Sequence, residues 1–124
     1  MNEIISCSRK AESIVHNDLC NLDHEEAWVL FLTTGQSVIS AEMLSRGTLD
    51  TTSLDSRTVL RRALLNNAGA IIVLHNHPSG NPMPSKKDID FTNKLRGACD
   101  LMGIGLLDHI IVTRESLGHL QISV

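Results

Sequence analysis

The segment "AIIVLHNHPSGNPMPSKKDID", residues 70–90, decides how the rest of the chain is read. Ala70 to His75 is an almost unbroken apolar, β-branched run, which predicts a central strand. Pro78, Pro82 and Pro84 lack amide donors, so the residues around them form neither helix nor ladder. Ser85 then opens a helix, because Ser85-x-x-Asp88 follows the capping-box pattern with Asp in place of Glu or Gln. Strand, loop and helix in this order suggest an α/β unit.

The flanking segments extend that unit. "SKKDIDFTNKLRGACDLMG" is read as the helix itself, with Ile89, Leu95, Cys99 and Met102 toward the core and Gly103 ending it. Upstream, "SLDSRTVLRRALLNNAGA" predicts a helix capped by Asp55 or Ser56, apolar along Val59, Leu60, Ala63 and Leu64, and stopped by Gly69. "AWVLFLTT" and "VISAEMLSRG" read as two strands of a hairpin about the turn "TGQS". "SRKAESIVHNDLC", Ser8 to Cys20, has helical spacing and a serine cap. "GLLDHIIVT" and "LGHLQISV" supply the last strands. The expected fold is an α/β sandwich with a mixed sheet, in one domain over residues 1–124 with no linker or repeat.

Composition narrows the function classes. The 124 residues carry a formal net charge of −3, with 42% hydrophobic and 20% charged residues, ordinary for a soluble domain. No apolar run approaches the roughly 18 residues that cross a bilayer. "MNEIISCSRK" has no basic start followed by an apolar core, so it does not read as a signal peptide. Cys7, Cys20 and Cys99 are scattered, which suggests reduced thiols and a cytoplasmic setting. The acidic balance, with only Trp28, Phe31 and Phe91 as aromatics, argues against a nucleic-acid interface.

The chemistry sits in the opening segment. His75 and His77 are at i and i+2 at a strand end, so both imidazoles share one face and are placed to grip one ion. Catalytic zinc takes three protein ligands and keeps a position for water. Asp88, in the first turn of the following helix, is the natural third ligand. A plainer reading treats Ser85 and Asp88 as a helix cap and His75 as a strand-end histidine. Hydrolysis also needs a carboxylate base outside the ligand set. Glu25 and Glu26, before the first strand, and Glu42 on the second are the candidates, and spacing leaves all three open.

"HNHPSGNPMPSKKD" resembles the H-x-H-P-x6-S-x2-D signature of the JAMM/MPN metalloproteases. "RGTL", "NNAGAIIVLHNHPSG" and "GIGLLDHIIV" are similar to its bacterial RadC branch, so the resemblance runs from about Leu22 to Val112. It implies the JAMM/MPN fold, a cytidine-deaminase-like α-β-α sandwich with a mixed sheet. It also implies zinc (Zn2+) held by His75, His77 and Asp88, with Glu25 as general base and acid on the zinc-bound water. Ser85 would help to hold the oxyanion, and Glu42 is the less favoured base. RadC proteins usually carry a helix-hairpin-helix domain before this region. Its lack here reads as an excised domain or a short family member. "ESLGHLQISV" departs from the family's usual Ser-Phe-x-Glu-x-Gly ending.

The resulting expectation is a zinc-dependent metallohydrolase, a peptidase or isopeptidase acting on a peptide or protein substrate. The alternative is a DNA-repair-associated or nucleic-acid-associated RadC module with little or no protease activity. Of Asp108 and His109, opposite faces of a strand allow at most one to reach the site, as a fourth ligand or as a partner of a ligand imidazole. His16, His24 and His119 are expected at the surface, and Arg57 on a solvated helix face.

Overall fold

A computed structural model describes residues 19–47, 54–114 and, for the backbone, 117–120. Its elements are β1 (Glu25–Leu32), β2 (Val38–Gly47), α1 (Ser56–Leu65), β3 (Ala70–Asn76), α2 (Lys86–Met102), β4 (Gly105–Val112) and β5 (Leu117–Leu120). The strands form one sheet in the order β2-β1-β3-β4-β5. β3 and β4 are parallel, joined through α2, and every other pair is antiparallel. The sheet is therefore mixed, as expected for this α/β fold. All but the last two residues of the expected helix Ser8–Cys20 lie outside the described residues.

β3 is buried along its whole length, which is why its sequence is apolar without alternation. One face of the sheet, with Val29, Phe31, Ile71 and Val73, packs on Val59 and Ala63 of α1 and on Leu95 and Cys99 of α2. The other face, with Leu30, Leu32, Ile72, Leu74, Ile110 and Val112, packs on Leu19. Both described helices thus lie on the same side.

Asp55 caps α1, its carboxylate accepting from Thr58 N–H at 2.7 Å. The helix ends at Asn66, followed by Asn67 at a φ of 54°. Gly69 does not stop it. A Cβ there would stand 2.4 Å from the Thr34 side chain, so glycine permits a close approach between β1's end and β3's start. Leu64, expected inside, is 55% exposed.

α2 differs from expectation in a way that matters for the site. Its buried residues are Thr92, Leu95 and Cys99, whereas Ile89 and Met102 are 41% and 47% exposed. Stepping back one turn from Thr92 gives Asp88 rather than Ile89. The face of α2 that meets the sheet therefore begins with a carboxylate and a hydroxyl. Gly103, at a φ of 70°, closes the helix as expected.

Candidate metal centre

Strand alternation and the helix stripe converge at the end of β3. Ala27 of β1 is the register partner of His75. Glu25, two residues before Ala27, shares its face, as His77 shares that of His75. His75 Nε2 lies 2.8 Å from His77 Nε2 and 3.3 Å from Asp88 Oδ1. His77 Nε2 lies 3.2 Å from Asp88 Oδ2. Glu25, His75 and His77 also bring one donor atom each within 4.8 Å of one another. His75 and Glu25 are buried, at 3% and 7% exposure.

These donors fit a small divalent cation. His77 Nδ1–H donates to the Asn81 carbonyl at 2.8 Å, which leaves Nε2 facing the cluster. Two imidazole nitrogens and a carboxylate around one point repel unless positive charge stands between them. A tetrahedral ion with bonds of about 2.0–2.1 Å has ligand-to-ligand edges of about 3.3 Å. The edges here, 2.8 to 3.3 Å, are close to that.

The electrostatics agree. Burial works to raise the Asp88 carboxyl, but the His75 and His77 imidazoles beside it hold it well below the usual carboxylate range. Burial works against a charged His77, but the Asp88 carboxylate and the Asn81 carbonyl together outweigh it and raise its pKa. Ser85 caps α2: its Oγ accepts from Asp88 N–H at 3.1 Å, and its own N–H donates to Asp88 Oδ2 at 2.8 Å. The cap and the cluster thus use the same carboxylate.

His109 reaches the cluster from β4, on the side of the sheet shared with Val73, while Asp108 points to the other side. His109 is not at the centre. Its Nε2 is 2.7 Å from His75 Nδ1, and its Nδ1 is 2.5 Å from Thr92 Oγ1. Thr92 Oγ1–H donates to the Asp88 carbonyl at 2.8 Å. Burial pushes the His109 pKa well below its ordinary value. Asp108 Oδ1 accepts from the His109 backbone N–H at 2.8 Å.

The other candidates are engaged elsewhere. Glu26 faces away from the cluster, accepting from Trp28 Nε1–H at 3.0 Å and from His24 Nε2–H at 2.8 Å. His24, expected at the surface, is therefore part of a network. Glu42 is gripped by Arg62 at 2.7 Å, by Asn66 and by Ser40, which together hold its carboxyl at about 2. Arg57 is exposed on α1. His16 lies outside the described residues, and His119 is described only in its backbone.

Asn76, between the two histidines, is given no role at the site by the sequence reading. It is 2% exposed and points to the opposite face, where Oδ1 accepts from Glu26 N–H at 2.7 Å and Nδ2 donates to the His24 carbonyl at 2.8 Å. It thereby clamps the residues on both sides of Glu25. The signal was its place one step out of phase with two ligand candidates on a buried strand.

Two spaces lie near the end of β3, and only the first is lined by cluster residues other than His77. A cavity of about 20 Å³ between His75, Asp88, Phe91 and His109 has room for about one water. A cleft of about 270 Å³ opens beside His77, bounded by Leu22, Ser79, Gly80 and Arg114. Among the described residues, no helix is long and apolar enough to cross a membrane.

Comparison with known proteins gives a consistent picture. A family model described as RadC-like JAB domain matches residues 5–121. A protein named UPF0758 protein from Porphyromonas gingivalis is 43% identical over 110 residues, covering 89% of this chain and 48% of that protein. One of the same name from Leptothrix cholodnii is 48% identical over 99 residues, covering 80% and 45% respectively. The chain spans about half the length of the curated relatives it matches.

Proposed function

The chain belongs to the RadC-like JAB domain family, and from that premise we propose that it is a zinc-dependent hydrolase of peptide or isopeptide bonds. The observation that carries this reading is the meeting of His75 Nε2, His77 Nε2 and the Asp88 carboxylate at separations of 2.8 to 3.3 Å, with Glu25 alongside. His75, His77 and Asp88 would hold the metal, and two nitrogens with one carboxylate oxygen suit zinc. When bound, zinc supplies a Lewis acid that polarises a carbonyl and lowers the pKa of a water.

The chain's own residues do the rest. Glu25 is buried beside the histidines without being needed as a ligand. Its carboxylate would take a proton from the attacking water and return it to the leaving amine nitrogen. Ser85, beside Asp88 at the loop's end, has a hydroxyl proton to offer a developing oxyanion.

Protein purified without chelator should carry about one zinc per chain. The zinc-loaded form should cleave members of a peptide library, and Glu25→Gln should keep the zinc and lose cleavage. Zinc-free protein that fails to take up zinc at micromolar concentration would sink the reading. So would full cleavage by Glu25→Gln.

A further inference from the structure

The protons around His109 can be assigned from its neighbours. The Asp88 carbonyl has no proton to give, so the single hydroxyl proton of Thr92 lies on the 2.8 Å contact to it. Thr92 Oγ1 must then accept from His109, which puts a proton on His109 Nδ1. His109 is 3% exposed, and neither of its ring contacts is a carboxylate, so a neutral ring is the stable form. Its Nε2 is therefore an acceptor. The contact of 2.7 Å to His75 Nδ1 requires the proton to come from His75.

We infer that His109 is a positioning residue that fixes His75 as the Nδ1–H tautomer and so turns its bare Nε2 toward His77 and Asp88; this rests on the metal-site reading above. Three donors run in one direction, His75 Nδ1–H to His109, His109 Nδ1–H to Thr92, and Thr92 Oγ1–H to the Asp88 carbonyl. The relay begins on one residue of the cluster and ends on the backbone of another. His75 and Asp88 are thereby tied twice, once through their facing donor atoms and once through this chain behind them. Position 109 needs an acceptor toward β3 and a donor toward α2. Among other side chains of similar reach, glutamine offers both.

Long-range proton–nitrogen NMR of the 15N-labelled, metal-free protein reads each imidazole tautomer directly. The wild type should show His75 protonated at Nδ1. His109→Leu should shift His75 to the Nε2–H form and weaken zinc binding by about 10–100-fold. His109→Gln should retain the Nδ1–H form and most of the affinity. Thr92→Val, a near-isosteric change, leaves His109 Nδ1 without an acceptor and should move His75 to Nε2–H even if His109→Leu does not fold. His75 found as Nε2–H in the wild type overturns the inference, as does an unchanged His75 tautomer in the folded variants. If the wild type bound no zinc, the metal reading would fail. The tautomers would still judge the relay.

Discussion

Asp88 Oδ2 stands 2.8 Å from the Ser85 backbone nitrogen and 3.2 Å from His77 Nε2, so one carboxylate oxygen serves both the helix cap and the histidine cluster. The two roles separate by mutation. Asp88→Asn keeps an oxygen for the Ser85 N–H but loses the charge. It should strip the protein of zinc while the Ser85 N–H keeps an acceptor. Ser85→Ala removes the oxygen that accepts from Asp88 N–H, and should lower stability by about 1 kcal/mol while leaving the three ligands in place. Thermal melts of the metal-free variants, paired with zinc titrations, distinguish the two. Zinc retained at full affinity by Asp88→Asn would remove Asp88 from the ligand set.

Metal should also act as a clasp. His75 and His77 stand at the end of β3 and Asp88 at the start of α2, with the proline-bearing loop between them. An ion held by all three binds only the folded chain. At a zinc concentration 100-fold above Kd the native state gains about 2.7 kcal/mol, a rise in Tm of about 10 °C for a domain of this size. A chelator should reverse the rise in the wild type and in Glu25→Gln. It should have no effect on His75→Ala. Calorimetric scans with and without chelator measure this, and equal Tm values in the wild type would contradict it.

The parts of the site legible in sequence are those set by short-range periodicity. His75 and His77 share a face because a strand alternates, and Asp88 follows from the cap at Ser85. Spacing leaves three glutamates as candidate bases, and only the strand register separates Glu25, on the histidine face, from Glu26 on the other. His109 was legible as a possible partner of a ligand imidazole, in competition with Asp108, but its link through Thr92 to Asp88 was not. It depends on how β4 aligns with β3, a parallel pairing with a register shift between Ile71 and Ile72, and no local pattern encodes that alignment. The mis-assigned faces of α1 and α2 have a similar origin. Leu64, Ile89 and Met102 are apolar but lie at the margins of the buried stripes, where the sheet does not cover them.

Glu42 predicts a pH dependence of stability remote from the site. The Arg62 guanidinium, with Asn66 and Ser40, lowers its carboxyl from 4.5 to about 2 in the folded protein. The unfolded chain therefore takes up the proton first as pH falls. The stabilisation is fully present above about pH 4.5 and is lost as pH drops toward 2. Glu42→Gln should accordingly destabilise the protein at pH 7, and the gap from wild type should narrow at pH 3. Comparing urea midpoints of the two proteins at both pH values cancels the other carboxylates, Asp88 included. A gap that widens in acid would contradict the assignment of this pair.

Asn76 should govern the position of Glu25 without touching the metal. Its side chain is buried on the far face of β3 and satisfies two backbone groups, Glu26 N–H and the His24 carbonyl, on either side of Glu25. Asn76→Asp keeps the acceptor for Glu26 N–H but sets a carboxylate oxygen against the His24 carbonyl, so the start of β1 must shift. Leaving a buried carbonyl without its donor costs about 1–3 kcal/mol. A displacement of about 1 Å at a catalytic group lowers turnover by about 100-fold. Zinc affinity should change little, because His75 and His77 face the other way and are held by His109 and Asn81. Turnover on a cleaved peptide, set beside a zinc titration of the same variant, tests this. Loss of zinc binding in step with turnover would instead place Asn76 in the support of the histidines.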